Sequence, residues 1–135
     1  MSQPVPAKIF VSHSHHEKEI AGWIKGELER FGAFGFVAHE DINPTEEWQG
    51  AILKNLKECD VFLALLSGNF ATSDWTDQES GIAIALGKVI VPVKVNLDPY
   101  GFIGKYQALK WDSEEPENKL EEACQSSFRQ EGIDD

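Results

Sequence analysis

The chain has 135 residues, with 12 Lys and Arg against 23 Asp and Glu, a formal net charge of −11, and it is 41% hydrophobic and 26% charged. That length fits one domain around one core, and the composition is that of a globular chain rather than a disordered one. The acid excess argues against gripping nucleic acid or an anionic membrane through a basic face.

The excess is concentrated at the end. Nine acidic and two basic residues from Asp112 onward give −7 and leave −4 for the first 111 residues. The expected organisation is a single domain over 1–135, with a core at about 7–111 and an acidic C-terminal helix or tail at 112–135. The opening, Met1 to Pro6, has neither the cationic nor the apolar region of a targeting signal. The apolar runs at 61–66 and 82–86 are far short of the roughly 18 residues of a membrane helix, so a cytoplasmic protein with no membrane partner is expected. Cys59 and Cys124 form no CxxC and read as buried structural thiols in a reducing compartment.

Along the chain, Lys8-Ile9-Phe10-Val11-Ser12 reads as a strand. A polar stretch, Ser12-His13-Ser14-His15-His16, follows it. Ile20, Trp23, Ile24, Leu28 and Phe31 then recur at helical spacing, with Glu17, Lys18, Lys25, Glu29 and Arg30 off that stripe. Gly32 and Gly35 end this helix. Residues 34–38 form a second strand, and His39-Glu40-Asp41-Ile42-Asn43-Pro44-Thr45 a polar loop, with Pro44 excluding helix at Asn43. Thr45 reads as an N-cap before a helix whose face is Trp48, Ile52, Leu56 and Cys59.

Residues 61–66 are continuously apolar, as in a strand covered on both faces, and Gly68 and Asn69 break the run. Ser73 caps a helix over about 74–86 that Gly87 stops. Residues 89–95 form the next strand, with Pro92 placing it near the sheet edge because proline lacks a ladder donor. After a loop at 96–105 come a short strand within 106–111 and a helix marked by Leu120, Ala123, Cys124 and Phe128. The alternation predicts an α/β fold with a doubly wound parallel sheet.

Ligands of such sheets bind at the carboxyl ends of the strands. Residues 12–16, 39–45 and 68–79 converge there. There is no GxGxxG, no GxxxxGK[ST] and no GxSxG, and the third strand ends in Leu65-Leu66-Ser67 without a phospho-acceptor acid. His13, His15 and His16 lack further ligands at metal spacing, so no metal is expected. In Ser73-Asp74-Trp75-Thr76-Asp77-Gln78-Glu79, Trp75 and Glu79 share a helix face at i,i+4, at the join between polar loop and core. A carboxylate there has two readings: it bonds backbone donors of a neighbouring loop, or it faces a cation or hydroxyls in a cleft.

Lys8 to Ser14, the Asp41-Ile42-Asn43-Pro44 loop and Ser73-x-Trp75-x-x-x-Glu79, taken in order, resemble a Toll/interleukin-1 receptor (TIR) domain of the bacterial type over about 7–111. The resemblance implies a flavodoxin-like five-stranded parallel sheet, order 2-1-3-4-5, with helices on both faces. It also implies cleavage of NAD+ at the nicotinamide–ribose bond to ADP-ribose or a cyclic isomer, in immune or antiphage signalling, with NAD+ as substrate and no separate cofactor. By motif position Glu79 is the implied catalytic residue, and Ser12, His13, Ser14, Asp41, Asn43, Ser73 and Trp75 line the substrate site. Thr76 stands where the family motif has cysteine, and Thr45 where the loop usually has glycine. Implied partners are other TIR domains in self-association and a fused or separate effector or sensor domain. Two alternatives stand beside this reading: a non-catalytic TIR interaction module, and a nucleotide-binding or glycosyl-transfer domain of the same architecture.

Overall fold

Five parallel strands pair in the order β2-β1-β3-β4-β5 in the computed structural model, which describes residues 7–38, 48–104 and 109–110. They are β1 (Lys8–Ser12), β2 (Phe34–Phe36), β3 (Val61–Leu66), β4 (Val89–Lys94) and β5 (Leu109–Lys110). Four strands carry most of the pairing, and β5 adds two residues beside β4, Leu109 opposite Val93 and Lys110 opposite Lys94. The helices are α1 (Lys18–Arg30), α2 (Trp48–Glu58), α3 (Gly68–Ala71) and α4 (Asp74–Ala85), with 3₁₀ turns at His15–Glu17 and Gly101–Ile103.

The period of two along β1 divides the core. Ile9 and Val11 face one side with Ala21, Ile24 and Leu28 of α1. Phe10 faces the other with Ile52 and Leu56 of α2 and Ala83 of α4, and its ring lies 5.1 Å from Phe36 and 5.8 Å from Phe62. Every residue of β3 is buried, as its continuous apolar run requires for a strand covered on both faces. Cys59 is buried in the second cluster, and burial pushes its thiol up to about 11. Pro92 lies in β4, one strand in from the β5 edge, and the described β4–β5 pairing begins after it at Val93.

Glycines at positive φ stop two helices. Gly32 (φ +85°) follows α1 and Gly87 (φ +71°) follows α4. After each, the next N–H returns to a carbonyl in the last turn, Ala33 to Leu28 at 2.9 Å and Lys88 to Ala83 at 3.1 Å.

Several local expectations need correction. Gly35 does not end α1; it pairs with Ile9 inside β2, where a Cβ would meet Lys25 Cγ at 3.2 Å, so its role is close helix–strand approach. The second strand stops at Phe36 rather than reaching 38. Trp23 and Phe31 are 37% and 38% exposed, because α1 approaches the sheet through the small Ala21, which turns Trp23 outward. Trp48, in the first turn of α2, is 45% exposed, while Ile52 and Leu56 below it are buried. Glu17 is not on a solvated face; it is buried. Gly68 and Asn69 do not simply break the chain; they open α3, whose cap Ser67 accepts the Phe70 N–H at 3.1 Å. The 39–45 loop, the Thr45 cap, most of 106–111 and the 112–135 tail with Cys124 lie outside the described residues. No helix among the described residues is long and apolar enough to cross a membrane.

Two glycines of α1 and its stop test this account with opposite signs. A Cβ at Gly26, within α1, meets open space, so Gly26→Ala raises stability to urea by up to about 1 kcal/mol. Gly32→Ala also meets open space but forces alanine to φ +85°, and lowers stability by about 1 kcal/mol.

Candidate functional site

β1 delivers Ser12 to its own carboxyl end, opposite Ala64 of β3 and 1% exposed. α4 reaches this end from the other direction. Its cap, Ser73, accepts the Thr76 N–H, and the fully buried Thr76 hydroxyl donates to the Phe70 carbonyl at 2.6 Å. That bond ties the first turn of α4 to α3 and fixes its rotation. Ser80, one turn on, is also buried and donates to the Thr76 carbonyl at 2.8 Å. Glu79, between them, is turned inward and is 5% exposed.

The Ser12 hydroxyl donates to Glu79 Oε1 at 2.7 Å. Of the two sequence readings for this carboxylate, bonding of backbone donors has no counterpart among the described residues. Its partner is a side-chain hydroxyl. Burial pushes the Glu79 carboxyl up from 4.5 to about 7, with the Ser12 hydrogen bond drawing it part of the way back.

Glu79 also forms part of the wall of a cleft of about 290 Å³ between α2 and α4. Gln49, Ile52 and Leu53 line it from α2, and Trp75, Gln78 and Ile82 accompany Glu79 from α4. Two carboxamides and one carboxylate interrupt an otherwise apolar lining, the make-up of a small-molecule cleft. The Trp75 indole N–H is buried and has no hydrogen-bond partner among the described residues.

The other expected site residues take different positions. Ser14 is buried and its hydroxyl donates to the Glu17 carboxylate. His13 is half-buried, with Nδ1 2.6 Å from the Ser14 carbonyl. Ser73 is engaged as the α4 cap. Asp41 and Asn43 lie outside the described residues. His15 and His16 are exposed with their rings edge to face, and no cluster of three or more His, Cys, Asp or Glu fit to hold a metal occurs among the described residues. The structure thus joins Ser12, Trp75 and Glu79 at one place and adds Gln49, Leu53 and Gln78. Only the last had a local signal, one turn from Trp75 on the motif helix.

The raised carboxyl has a consequence for stability. The folded chain holds this proton more tightly than the unfolded one, so the contribution to stability is full below 4.5 and lost as pH rises through about 7. Glu79→Gln keeps an oxygen for Ser12 and removes the charge. In urea unfolding its advantage over the wild type is small at pH 5 and reaches about 3 kcal/mol by pH 8.

The family model of the TIR domain matches residues 9–124. No curated protein matches this sequence. Among solved structures, the TIR domain of the Toll-related receptor TRR-2 from Hydra magnipapillata is similar with a TM-score of 0.75 and 15% identity, over 90% of this chain and 97% of that one. The CMP N-glycosidase BcmB of Clostridium botulinum is similar with a TM-score of 0.60 and 19% identity, over 87% and 98%. A 2-desoxiribosyltransferase from Leishmania mexicana is similar with a TM-score of 0.54 and 16% identity, over 70% and 68%. At these identities the likenesses concern the fold. With the family match spanning most of the sequence, the chain belongs to the TIR domain family.

Proposed function

We propose that this chain cleaves NAD+ at the nicotinamide–ribose bond, releasing nicotinamide and ADP-ribose or a cyclic isomer of it. The observation that carries the reading is the Glu79 carboxylate, buried in the wall of a cleft and held by the single hydroxyl of Ser12. The motif resemblance supplies the choice of NAD+. One structural neighbour is by its name a CMP N-glycosidase, which makes CMP the natural comparison substrate.

The chemistry needs one carboxylate and no acid. Nicotinamide departs from a cationic pyridinium as a neutral molecule, so no proton is required at the leaving group. Departure moves the positive charge onto the ribose, which becomes oxocarbenium-like, the charge type that carboxylates stabilise in glycosidases. Water then adds at that carbon and loses a proton to solvent, giving ADP-ribose, or a nucleophilic atom of the same molecule adds there, giving the cyclic isomer. Glu79 lies against that charge in a water-poor site, where its field is least screened, and hydrogen-bonds the ribose hydroxyls. Trp75 stacks on the leaving ring, with Gln78 and Gln49 facing the cleft beside it. Ser12 orients the carboxylate. His13, Ser14, Ser73, Asp41 and Asn43 belong to the substrate site in this proposal by the motif resemblance alone. NAD+ is the substrate, no separate cofactor takes part, and self-association with other TIR domains activates the enzyme in an immune or antiphage response in the cytoplasm.

The reacting form of Glu79 is the ionised one, so kcat/KM for nicotinamide release rises with pH, with a midpoint at about 7, and levels above it. The cationic pyridinium favours the carboxylate, so the midpoint of kcat lies lower than that of kcat/KM. Ser12→Ala removes the hydroxyl that favours ionisation and moves the kcat/KM midpoint up by about 1–2 pH units. Following nicotinamide release from NAD+ at high protein concentration, with cytosine release from CMP in parallel, checks all three. No nicotinamide release from NAD+, whether or not CMP is cleaved, or an NAD+ profile flat across pH 5–9, overturns the proposal.

A further inference from the structure

The chain leaves β1 through two serines at alternate positions, and each hydroxyl donates to a buried carboxylate. Ser12 gives to Glu79. Ser14 gives to Glu17, a carboxylate that the chemistry above does not use. Ser14 is 4% exposed and Glu17 7% exposed. Glu17 ends the 3₁₀ turn that opens on Ser14, and its backbone N–H closes the turn on the Ser14 carbonyl at 3.1 Å. A turn of this kind closes without its side chain. The Glu17 carboxylate does more: its other oxygen receives the Asn69 side-chain amide at 3.4 Å, from α3, 52 residues along the chain.

Glu17 therefore spans the ends of β1 and β3. These strands are neighbours in the sheet, and the order reverses between them, with β2 outside β1 and β4 outside β3. Crevices at such reversals are where open α/β sheets hold ligands. A carboxylate buried there is costly unless hydrogen-bonded, and the hydroxyl and the amide supply those bonds from both walls.

We propose that Glu17 is a positioning residue: by clamping Ser14 to the α3 turn, it fixes the end of β1 and so holds the Ser12 hydroxyl on Glu79. The proposal rests on the reading of Glu79 as the reacting carboxylate. Among the described residues, Ser12 from β1, Trp75 and Gln78 from α4 and Gln49 from α2 are the polar neighbours of Glu79 or of its cleft, and none of these is charged. The titration of Glu79 is therefore a gauge of where the Ser12 hydroxyl sits.

The experiment is a carbon-13 NMR titration of the Glu79 carboxyl, assigned by its loss in Glu79→Gln, in the wild type and in Ser14→Ala, Glu17→Ala and Glu17→Gln. Ser14→Ala and Glu17→Ala each raise the Glu79 midpoint by about one pH unit, while Glu17→Gln, which keeps an oxygen for Ser14, moves it by less than half as much. An unmoved midpoint in folded Ser14→Ala and Glu17→Ala overturns the clamp. Should Glu17→Ala fail to fold, Ser14→Ala decides by the same criterion. Nicotinamide release separates the two ideas. No NAD+ cleavage by the wild type with a shifted midpoint removes the catalytic reading alone, whereas full cleavage with an unmoved midpoint removes the clamp alone.

Discussion

The hydroxyl of Ser12 and the carboxylate of Glu79 meet at 2.7 Å, from residues 67 apart in the chain, and the arrangement of the site follows from their meeting. One comes from the end of a strand and the other from the second turn of a helix, so the bond sets the distance between β1 and α4. It also determines the chemistry of the carboxylate. A cation beside Glu79 would hold it ionised and quench its field. The Ser12 hydroxyl, its one partner among the described residues, leaves it largely desolvated, which raises its pKa to about 7; under the proposed function its negative charge is then available to a cationic substrate.

That choice opposes stability. A carboxylate at 5% exposure with one hydrogen bond among the described residues destabilises the fold whenever it ionises, so other elements must hold α4 in place. The Thr76 hydroxyl on the Phe70 carbonyl fixes the rotation of α4, and the wholly buried β3 provides the surface on which the sheet and helices assemble. Thr76 stands at the cysteine position of the family motif, and its buried hydroxyl donates to the Phe70 and Ser73 carbonyls. The loop after β4 adds two further ties, Asn96 Oδ1 accepting the Gly68 N–H at 2.9 Å and the Tyr100 hydroxyl donating to Asp77 at 3.0 Å. Conflict between activity and stability at a single side chain is common in enzyme sites, and the proposed function would place it at Glu79.

The parts of this arrangement that local pattern encodes were legible in the sequence. Continuous apolar runs marked β1, β3 and β4, and glycines after the periodic segments marked the ends of α1 and α4. The spacing of Trp75 and Glu79 put both on one face of a capped helix. Other features left no local signal. Helical periodicity did not distinguish Trp23 from Ala21 as the residue that meets the sheet, because side-chain size and approach distance decide that. Trp48 continues the Ile52–Leu56 stripe on paper but is exposed in the first turn of α2. Glu17 reads as a solvated acid until Ser14 and Asn69 are seen around it. The α2 wall of the cleft, Gln49 and Leu53, is brought to Glu79 by packing alone.

The central claim is that one buried carboxylate breaks the nicotinamide–ribose bond. Nicotinamide release from NAD+ by the wild type and by Glu79→Gln at pH 8 tests it most directly, because glutamine is isosteric with glutamate and the raised carboxyl predicts a variant no less stable than the wild type at that pH. The account predicts a loss of at least about 100-fold in the variant, the scale on which removing a preorganised electrostatic group slows a reaction. Equal release by the two proteins would contradict it.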